Sequence, residues 1–578
     1  MVSKELESLT FKRIKLRSSI LGAIFIFVLL ILSVRLYVLQ IMQYSFFKQK
    51  ATGQHVTKYS ILPKRGKILD RRLRDLAISI PNFSAFAVPE EIQNSKMIAE
   101  KLSKVLNLKR DLIAEKLSGN NKKFVWIKRM LSEDEAKVLR DLDLDGVYLK
   151  EESKRSYPGG NLMSHVLGFS DIDGKGLEGI EKQWDSWLCG KAGMRLSERD
   201  AQGREIMALR TEDTQSKDGL NVVLTLDAAI QTVVEEELEK VVYQYKAESA
   251  SAIVMNPKTG EVLAMANFPT FDPNEAGKAQ ASARRNLCIT DSYEPGSTFK
   301  PLVLAAVVNE NLVKISDVFN CEKGSYRIGR HVLHDVHPYE MLTVQQIIER
   351  SSNIGMAKVA QKMSPIMLHG YLDSLGFGKK TGVALPGEAI GILKHPKYWS
   401  KLTPFMIPMG QEIAVTSIQL ITAYCTLANG GELIRPVIVH KIVDQDFNLV
   451  QKFIPESAGQ VYDSEIAKQI VDVLKGVVSE RGTAQSAQID GYTVAGKTGT
   501  AQKMDPKGGY SHSDYMSSFI GFLPADNPEV AILVVVNAPK PVHYGGVVAA
   551  PVFKEVGLAL MRYLEVPPNV LFSKKSKK

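Results

Sequence analysis

An apolar run extends from Ile20 to Val34, and after Arg35 it resumes through Leu36, Tyr37, Val38 and Leu39. Carried to about Met42, it is long enough to cross a bilayer as a helix, with Arg35 reaching the interface. Lys12, Arg13, Lys15 and Arg17 precede it and place residues before Ile20 in the cytoplasm. Lys48, Lys50, Lys58, Lys64 and Arg65 on the far side weigh against that orientation. No small-x-small cleavage site follows, so an uncleaved anchor is expected. No second apolar span appears, so the remainder is expected outside the cytoplasmic membrane.

Beyond the anchor the pattern is mixed. Pro63 to Arg71 reads as a strand bounded by turn residues, and 96–106 and 133–140 as short amphipathic helices. Tyr157-Pro158-Gly159-Gly160 marks a loop, His165 to Phe169 a strand, and Gly176 to Glu181 the lead into a helix carrying Trp184 and Trp187. Nothing up to residue 218 has the spacing of a nucleophile, metal or phosphate site. His165 stands alone and reads as a hydrogen-bonding structural residue. The texture changes at Gly219. Strands are expected at 220–226, 251–256 and 261–267, with Pro257 to Gly260 as a hairpin turn. Asp227 caps a helix to Val242. The chain then reads as largely helical from Ser297 to about 376. Strands return at 494–501, 517–523 and 530–537, before a last helix at 551–564. Strands early and late with helices between imply an α/β domain whose sheet joins distant segments.

At 578 residues the chain is long enough for two to four domains. Its 45% hydrophobic and 24% charged content is that of globular protein. The net charge of +10 is spread along the chain, gathering only near the N-terminus and in the tail Ser573 to Lys578. No basic patch interleaved with aromatics stands out, so nucleic acid is not an expected partner. Cys189, Cys288, Cys321 and Cys425 are far apart, without the Cys-x-x-Cys of zinc or thioredoxin-like sites.

The chemistry sits in the second half. In Glu294-Pro295-Gly296-Ser297-Thr298-Phe299-Lys300, a turn opens a helix with Ser297 and Lys300 on one face. A serine hydroxyl needs a base to act as nucleophile, and a lysine serves only if desolvation or nearby positive charge lowers its pKa. Phe299, Pro301, Leu302 and the run 303–308 supply that apolar cover. The pair alone is a weak signal, since Ser45-Phe46-Phe47-Lys48 matches it beside the anchor. Ser351-Ser352-Asn353 opens a helix and offers a hydroxyl and an amide, although Ser118-Gly119-Asn120 has the same spacing. Lys-Thr-Gly occurs three times. Lys258-Thr259-Gly260 reads as a turn and Lys380-Thr381-Gly382 as a helix-end loop. Only Lys497-Thr498-Gly499 lies on a strand between Gly496 and Thr500, suited to hold a carboxylate. His331, His334 and His337 have spacings that suit one helical face, but Asp335, Gly324 and Gly329 nearby argue for a loop rather than a metal site.

Taken in order, Ser297-x-x-Lys300, Ser351-x-Asn353 and Lys497-Thr498-Gly499 resemble the trio of penicillin-binding proteins and β-lactamases. The segments Tyr293 to Lys300, Ser351 to Gly355, Ala495 to Gln502, Leu385 to Glu388, Leu427 to Gly431 and Gly545 to Phe553 are similar to the class B penicillin-binding proteins. So are Arg65-Gly66, Asp70-Arg71 and Gly179-Ile180-Glu181. Two departures are visible. Arg72-Leu73 stands where the family often has Asn-Gly, and Gly410-Gln411-Glu412 where it often has Gly-Gln-Gly. The resemblance implies a cytoplasmic tail (1–19), a transmembrane anchor (20–42), an elongated α+β non-catalytic pedestal of dimerisation type (43–218), a transpeptidase domain with a mainly antiparallel central sheet flanked by helices (219–567), and a basic tail (568–578). It implies a D,D-transpeptidase that cross-links peptidoglycan stem peptides through an acyl-enzyme on Ser297. Lys300 would be the base, Ser351 the proton relay, Asn353 the holder of the acyl-side amide, and Lys497, Thr498, Gly499 and Thr500 the carboxylate site. The oxyanion hole would be the N–H groups of Ser297 and Thr500. No cofactor or metal is implied. β-Lactams would acylate Ser297. The Tyr-Glu-Pro-Gly lead-in and Tyr544-Gly545-Gly546 look more like the septal, cell-division type, whose partners would be a membrane-embedded glycan polymerase and other division proteins. Alternatives are an elongation-type enzyme, a membrane-anchored β-lactamase, or a non-catalytic division scaffold.

Overall fold

The computed structural model describes residues 2–118, 124–199, 205–206, 212–505 and 508–570. They divide into two units, 1–63 with 191–217, and 64–190 with 218–578. The Gly119-Asn120 part of the second Ser-x-Asn match and residues 571–578 of the basic tail lie outside the described residues.

In the first unit a helix runs Val2–Tyr37 and passes through a π-helical turn, Val38–Met42, into the helix Tyr44–His55. Among the described residues, Leu9–Met42 is the one helix long and apolar enough to cross a membrane. Its Leu21, Phe25 and Phe27 are exposed, with no protein covering them. A helix of this length with an exposed apolar stretch from Ile20 to Val34 suggests a single-pass membrane anchor. The strand Val56–Ile61 pairs antiparallel with Gly193–Arg199, which also pairs with Glu205–Ile206 and Glu212–Thr214.

The second unit holds two larger sheets. In one, Ile68–Leu69 lies parallel to Asn221–Leu224, and Val439–Val443 pairs antiparallel with the latter. The long strand Asp75–Ala87 extends this sheet, pairing with Val125–Lys128 and Val147–Ser156. Segments from both sides of residue 218 thus share one sheet. A buried ionic cluster ties them to the surrounding loops. The guanidinium of Arg65 meets Glu181 Oε2 at 2.6 Å and Asp185 Oδ1 at 2.6 Å, while Arg155 meets Glu181 Oε1 at 2.6 Å. Glu181 is fully buried, so each carboxylate oxygen has its own guanidinium partner where water cannot supply one. Gly66 cannot carry a side chain here, because a Cβ would lie 2.0 Å from the Leu220 carbonyl.

The other sheet is five-stranded and antiparallel, in the order Val262–Phe268, Ser249–Met255, Val530–Asn537, Tyr510–Leu523, Ala495–Met504. Residues 530–536 are all buried, as a strand covered on both faces must be. The helices Ala228–Tyr245 and Ala550–Tyr563 pack on each other and on the sheet, and Ser417–Ala428 and Ser464–Val478 also pack against it. Asp227 caps its helix by accepting from the Ala229 N–H. The helix Lys300–Asn309 is buried through Val308, as the apolar run that follows Lys300 dictates.

Three segments differ from the sequence reading. Residues 164–167 form a helical turn rather than a strand, closed by the Gly168 N–H on the Ser164 carbonyl. Gly168 has φ +67° and presses on Glu178, a path no extended strand could follow. The stretch after the Ser297 helix is interrupted by strands at Val318–Asn320, Ser325–Ile328, His331–His334 and Met341–Thr343. The His331 region is therefore a hairpin strand rather than a loop. At Arg72-Leu73 the turn is kept. Asp70 accepts from the N–H groups of Arg72 and Arg74, both at 2.8 Å, and Leu73 takes φ +62° in place of a glycine.

Removing one partner of the buried cluster leaves the others uncompensated, at about 3–5 kcal/mol. Arg65→Ala and Glu181→Ala are expected to lower the thermal midpoint of the detergent-solubilised chain sharply, whereas exposed Lys104→Ala should not. Equal midpoints for all three would contradict this role.

Candidate functional site

Ser297 lies in a 3₁₀ turn, Gly296–Phe299, that leads into the helix beginning at Lys300. In a 3₁₀ turn residues three apart eclipse, which places the Ser297 and Lys300 side chains on one face. Pro301 at the first turn starts the α-helix without forfeiting a hydrogen bond. The turn is held from several sides. Tyr424 donates its hydroxyl to the Thr298 carbonyl at 2.6 Å, and the Gly296 N–H bonds the Gly410 carbonyl at 3.1 Å. Gly410 has φ +73°, and a Cβ there would sit 2.2 Å from the Gly296 carbonyl. The strand Ala495–Met504 packs against the same turn. A Cβ on Gly499 would lie 2.9 Å from Thr298 Cγ2 and 3.1 Å from the Pro295 carbonyl, so only glycine permits this approach.

The structure brings the three sequence motifs together. Lys300 Nζ donates to the Ser351 carbonyl at 2.6 Å and to Asn353 Oδ1 at 2.8 Å, and stands 3.3 Å from Ser351 Oγ. Lys497 Nζ reaches the same Oγ at 3.1 Å, and the Thr498 carbonyl and hydroxyl at 3.3 Å each. One serine hydroxyl thus lies between two lysines, each fully buried. Ser351 holds this place with φ +59°, a left-handed conformation that is costly outside glycine. The Ser297 side chain is partly exposed, and its hydroxyl has no hydrogen-bond partner among the described residues. Thr498 is held by Thr483, their hydroxyls 3.0 Å apart, and Thr500 Oγ1 accepts from the Gly545 N–H at 3.1 Å.

Burial lowers the pKa of Lys300 to about 7, against a smaller opposing effect of Asp335. Lys497 is pushed well below the usual lysine range by burial and by the charge of Lys300. Two ammonium groups cannot share one buried hydroxyl without strong repulsion, so the pair gives up a proton far more readily than two exposed lysines would. A neutral Lys300 still satisfies both carbonyl-type acceptors with its two N–H bonds and keeps a lone pair free.

Asp335 was not singled out for chemistry by the sequence reading. It follows the hairpin strand His331–His334, and its carboxylate accepts from Ser352 Oγ at 2.6 Å and from the N–H groups of Asn353 and Ile354 at 2.5 and 3.0 Å. It therefore caps the helix Asn353–Ala360 with a negative charge at the end that favours one. The His334 carbonyl accepts from Asn353 Nδ2 at 3.0 Å. The histidine run thus serves the site through its backbone and through Asp335. Among the described residues no group of His, Cys, Asp or Glu is arranged to hold a metal. Nothing local marks Asp335 or Thr483, because only tertiary packing brings them to the site. Lys380-Thr381-Gly382 is elsewhere, with Thr381 bonded to Glu388 Oε1.

Residues 250–557 match the family described as penicillin binding protein transpeptidase domain, and residues 60–224 the penicillin-binding protein dimerisation domain. The chain is 34% identical to the probable peptidoglycan D,D-transpeptidase PenA of Neisseria meningitidis, over 92% of this chain and 90% of the relative. It is 35% identical to the peptidoglycan D,D-transpeptidase FtsI of Escherichia coli, over 88% and 85%. It is 36% identical to the stage V sporulation protein D of Bacillus subtilis, over 88% and 79%. Among solved structures, penicillin-binding protein 3 of Mycobacterium tuberculosis complexed with aztreonam superposes with a TM-score of 0.70 at 28% identity, covering 89% of this chain and 100% of that one.

Asp335→Ala is expected to slow labelling by a fluorescent penicillin about 10- to 100-fold, from losing charge-assisted hydrogen bonds of about 1.5–3 kcal/mol at 1.4 kcal/mol per decade. Asp335→Asn should lose less, since its amide oxygen still accepts. Unchanged labelling in the alanine variant would show that the cap does not position Asn353.

Proposed function

The chain belongs to the class B penicillin-binding proteins, and from that membership we propose that it cross-links peptidoglycan stem peptides through a serine acyl-enzyme on Ser297. The observation that carries the reading is the convergence of Lys300, Ser351, Asn353 and Lys497 within hydrogen-bond distance beside the Ser297 turn.

In the proposed mechanism Ser297 Oγ attacks the carbonyl carbon of the penultimate D-alanine, and Lys300 takes the hydroxyl proton. Ser297 opens a helix, so its N–H has no intrahelical acceptor and is available to the developing oxyanion, with the Thr500 N–H as second donor. The substrate's terminal carboxylate lies by Lys497, Thr498 and Thr500, with Gly499 letting it approach the backbone. This carboxylate draws the shared proton of the lysine pair onto Lys497 and leaves Lys300 neutral as base. Ser351 carries a proton from Lys300 to the departing D-alanine nitrogen, and the peptide bond breaks to leave the Ser297 ester. Asn353 binds the amide on the acyl side. The amine of a neighbouring stem then attacks the ester, the new peptide bond forms, and Ser297 recovers its proton through Lys300. A β-lactam enters the same path and stops at the acyl-enzyme.

Residues 43–218 are read as the non-catalytic pedestal and 219–567 as the catalytic domain, outside the membrane, with the basic N-terminus in the cytoplasm. The Tyr293-to-Gly296 lead-in and Tyr544-Gly545-Gly546 favour a role in septum synthesis, beside a membrane-embedded polymerase of lipid-linked disaccharide. Depletion of the protein should then give filamentous cells, whereas rounded cells would point to elongation. The chemistry is tested by labelled penicillin and mass spectrometry. The label is expected on Ser297 in the wild type and absent from Ser297→Ala. Label persisting in that variant, or rapid turnover of the β-lactam, would overturn the assignment.

A further inference from the structure

The hairpin that delivers Asp335 stands out from its domain. Ser325–Ile328 pairs with His331–His334 and with no other strand, so its outer edge offers unpaired backbone groups. At the tip Gly329 has φ +60°, and a Cβ there would meet nothing within 4 Å. The base, by contrast, is tied down. The Asp335 N–H bonds the Gly324 carbonyl at 3.2 Å, and a Cβ on Gly324 would lie 3.0 Å from Pro338 Cα. From this base the chain reaches the site twice. The Asp335 carboxylate accepts from the N–H groups of Asn353 and Ile354, and the His334 carbonyl accepts from Asn353 Nδ2. A two-stranded hairpin is only marginally stable by itself, yet this one holds the side chain that meets Lys300.

Charge and shape narrow the partner. The carboxylates of residues 322–340 are all engaged. Glu322 meets Lys358 at 2.5 Å, Glu340 meets Lys323 at 3.7 Å, and Asp335 is taken up by the helix cap. Arg327 and Arg330 are exposed and make no ion pair among the described residues. His331, His334 and His337 are exposed on the same segment and add no negative charge. The free charge of the hairpin is therefore positive. Arg327 faces Val332 across the strands, and Val332 and Val336 are exposed apolar side chains. An extended polypeptide that alternates acidic and aliphatic residues matches each of these features. Its backbone pairs with the open edge, its carboxylates with the arginines, and its apolar side chains with the valines. A polyphosphate would use the arginines alone.

We propose that the hairpin Ser325–His334 is a docking surface for an acidic extended segment of a partner protein, whose binding firms the Asp335 cap and speeds acylation of Ser297. A third strand stabilises the hairpin conformation in which Asp335 and His334 hold Asn353. Occupancy and a productive Asn353 thus favour each other. The docking stands apart from the transpeptidase reading, and only its effect on acylation rests on that reading.

Full-length wild type in detergent is titrated with a dye-labelled synthetic peptide alternating glutamate and valine, followed by fluorescence anisotropy. Labelling by a fluorescent penicillin is timed with and without the peptide. An alternating lysine–valine peptide and inorganic polyphosphate are the comparison probes. The double variant Arg327→Glu, Arg330→Glu changes exposed positions and is expected to keep the wild-type thermal midpoint and basal labelling. Arg327→Gln with Arg330→Gln takes its place if the charge reversal disturbs folding. The glutamate–valine peptide is expected to bind wild type, more weakly as salt rises, and to lose roughly tenfold in affinity in the variant, about what two exposed charge pairs supply. At saturation it should raise the wild-type labelling rate about fivefold, the low end of a typical coupling. Equal binding of the two peptides, or of wild type and variant, overturns the docking surface. Tighter binding of polyphosphate than of the peptide overturns the protein partner. Peptide binding that leaves labelling unchanged or slower overturns the coupling through Asp335. Failure of wild type to take penicillin at all overturns the transpeptidase reading instead, with peptide binding unaffected.

Discussion

Two buried lysines sharing one serine hydroxyl is the constraint on which the rest of the site depends. Lys300 and Lys497 both reach Ser351 Oγ, at 3.3 and 3.1 Å. Burying an ammonium without a compensating charge is costly, and burying two together more so, so the pair lowers its cost by giving up a proton. That is the property a serine nucleophile requires of its base. The surrounding apolar helix, from Phe299 to Val308, is what keeps water from supporting both charges.

Holding such a pair together requires a scaffold that resists it. Ser351 is kept in a left-handed conformation, and the helix after it is pinned by Asp335, whose carboxylate binds Ser352, Asn353 and Ile354. Gly410 and Gly499 let two backbones close on the Ser297 turn from different sides. Lys497 comes from the edge strand of the five-stranded sheet, so its position is set by pairing with Tyr510–Leu523. Three segments far apart in sequence are thus fixed by three different means, a helix start, a capped helix and a strand register.

Much of this was legible in the residues, and for local reasons. The Ser297 helix, the Asp227 cap, the late strands and the apolar anchor each follow from short-range pattern. The company of Ser351-Asn353 and Lys497-Thr500 later in the chain separated Ser297 from its match at Ser45, and the strand context between Gly496 and Thr500 separated Lys497 from Lys258 and Lys380. What was not legible depends on tertiary packing. The turn at 164–167 is shaped by Gly168 pressing on Glu178, and the hairpin that delivers Asp335 looked like a loop among helices. The two departures from the family pattern, Leu73 and Glu412, prove to share a conformation, with φ +62° and +58°. The first keeps its turn through Asp70. The second donates its N–H to Glu294 Oε1 at 2.9 Å and accepts from the Thr403 hydroxyl through its own carboxylate, where sequence alone showed only a substitution.

The most direct test that Lys300 is the base is the pH dependence of the second-order rate of Ser297 acylation by a β-lactam that does not itself titrate between about pH 5 and 9. With Lys300 as a base lowered to about 7, the rate should rise close to tenfold per pH unit in acid and level off above neutrality. A rate that stays flat across this range, or that rises only toward the ordinary lysine pKa near 10, would contradict it.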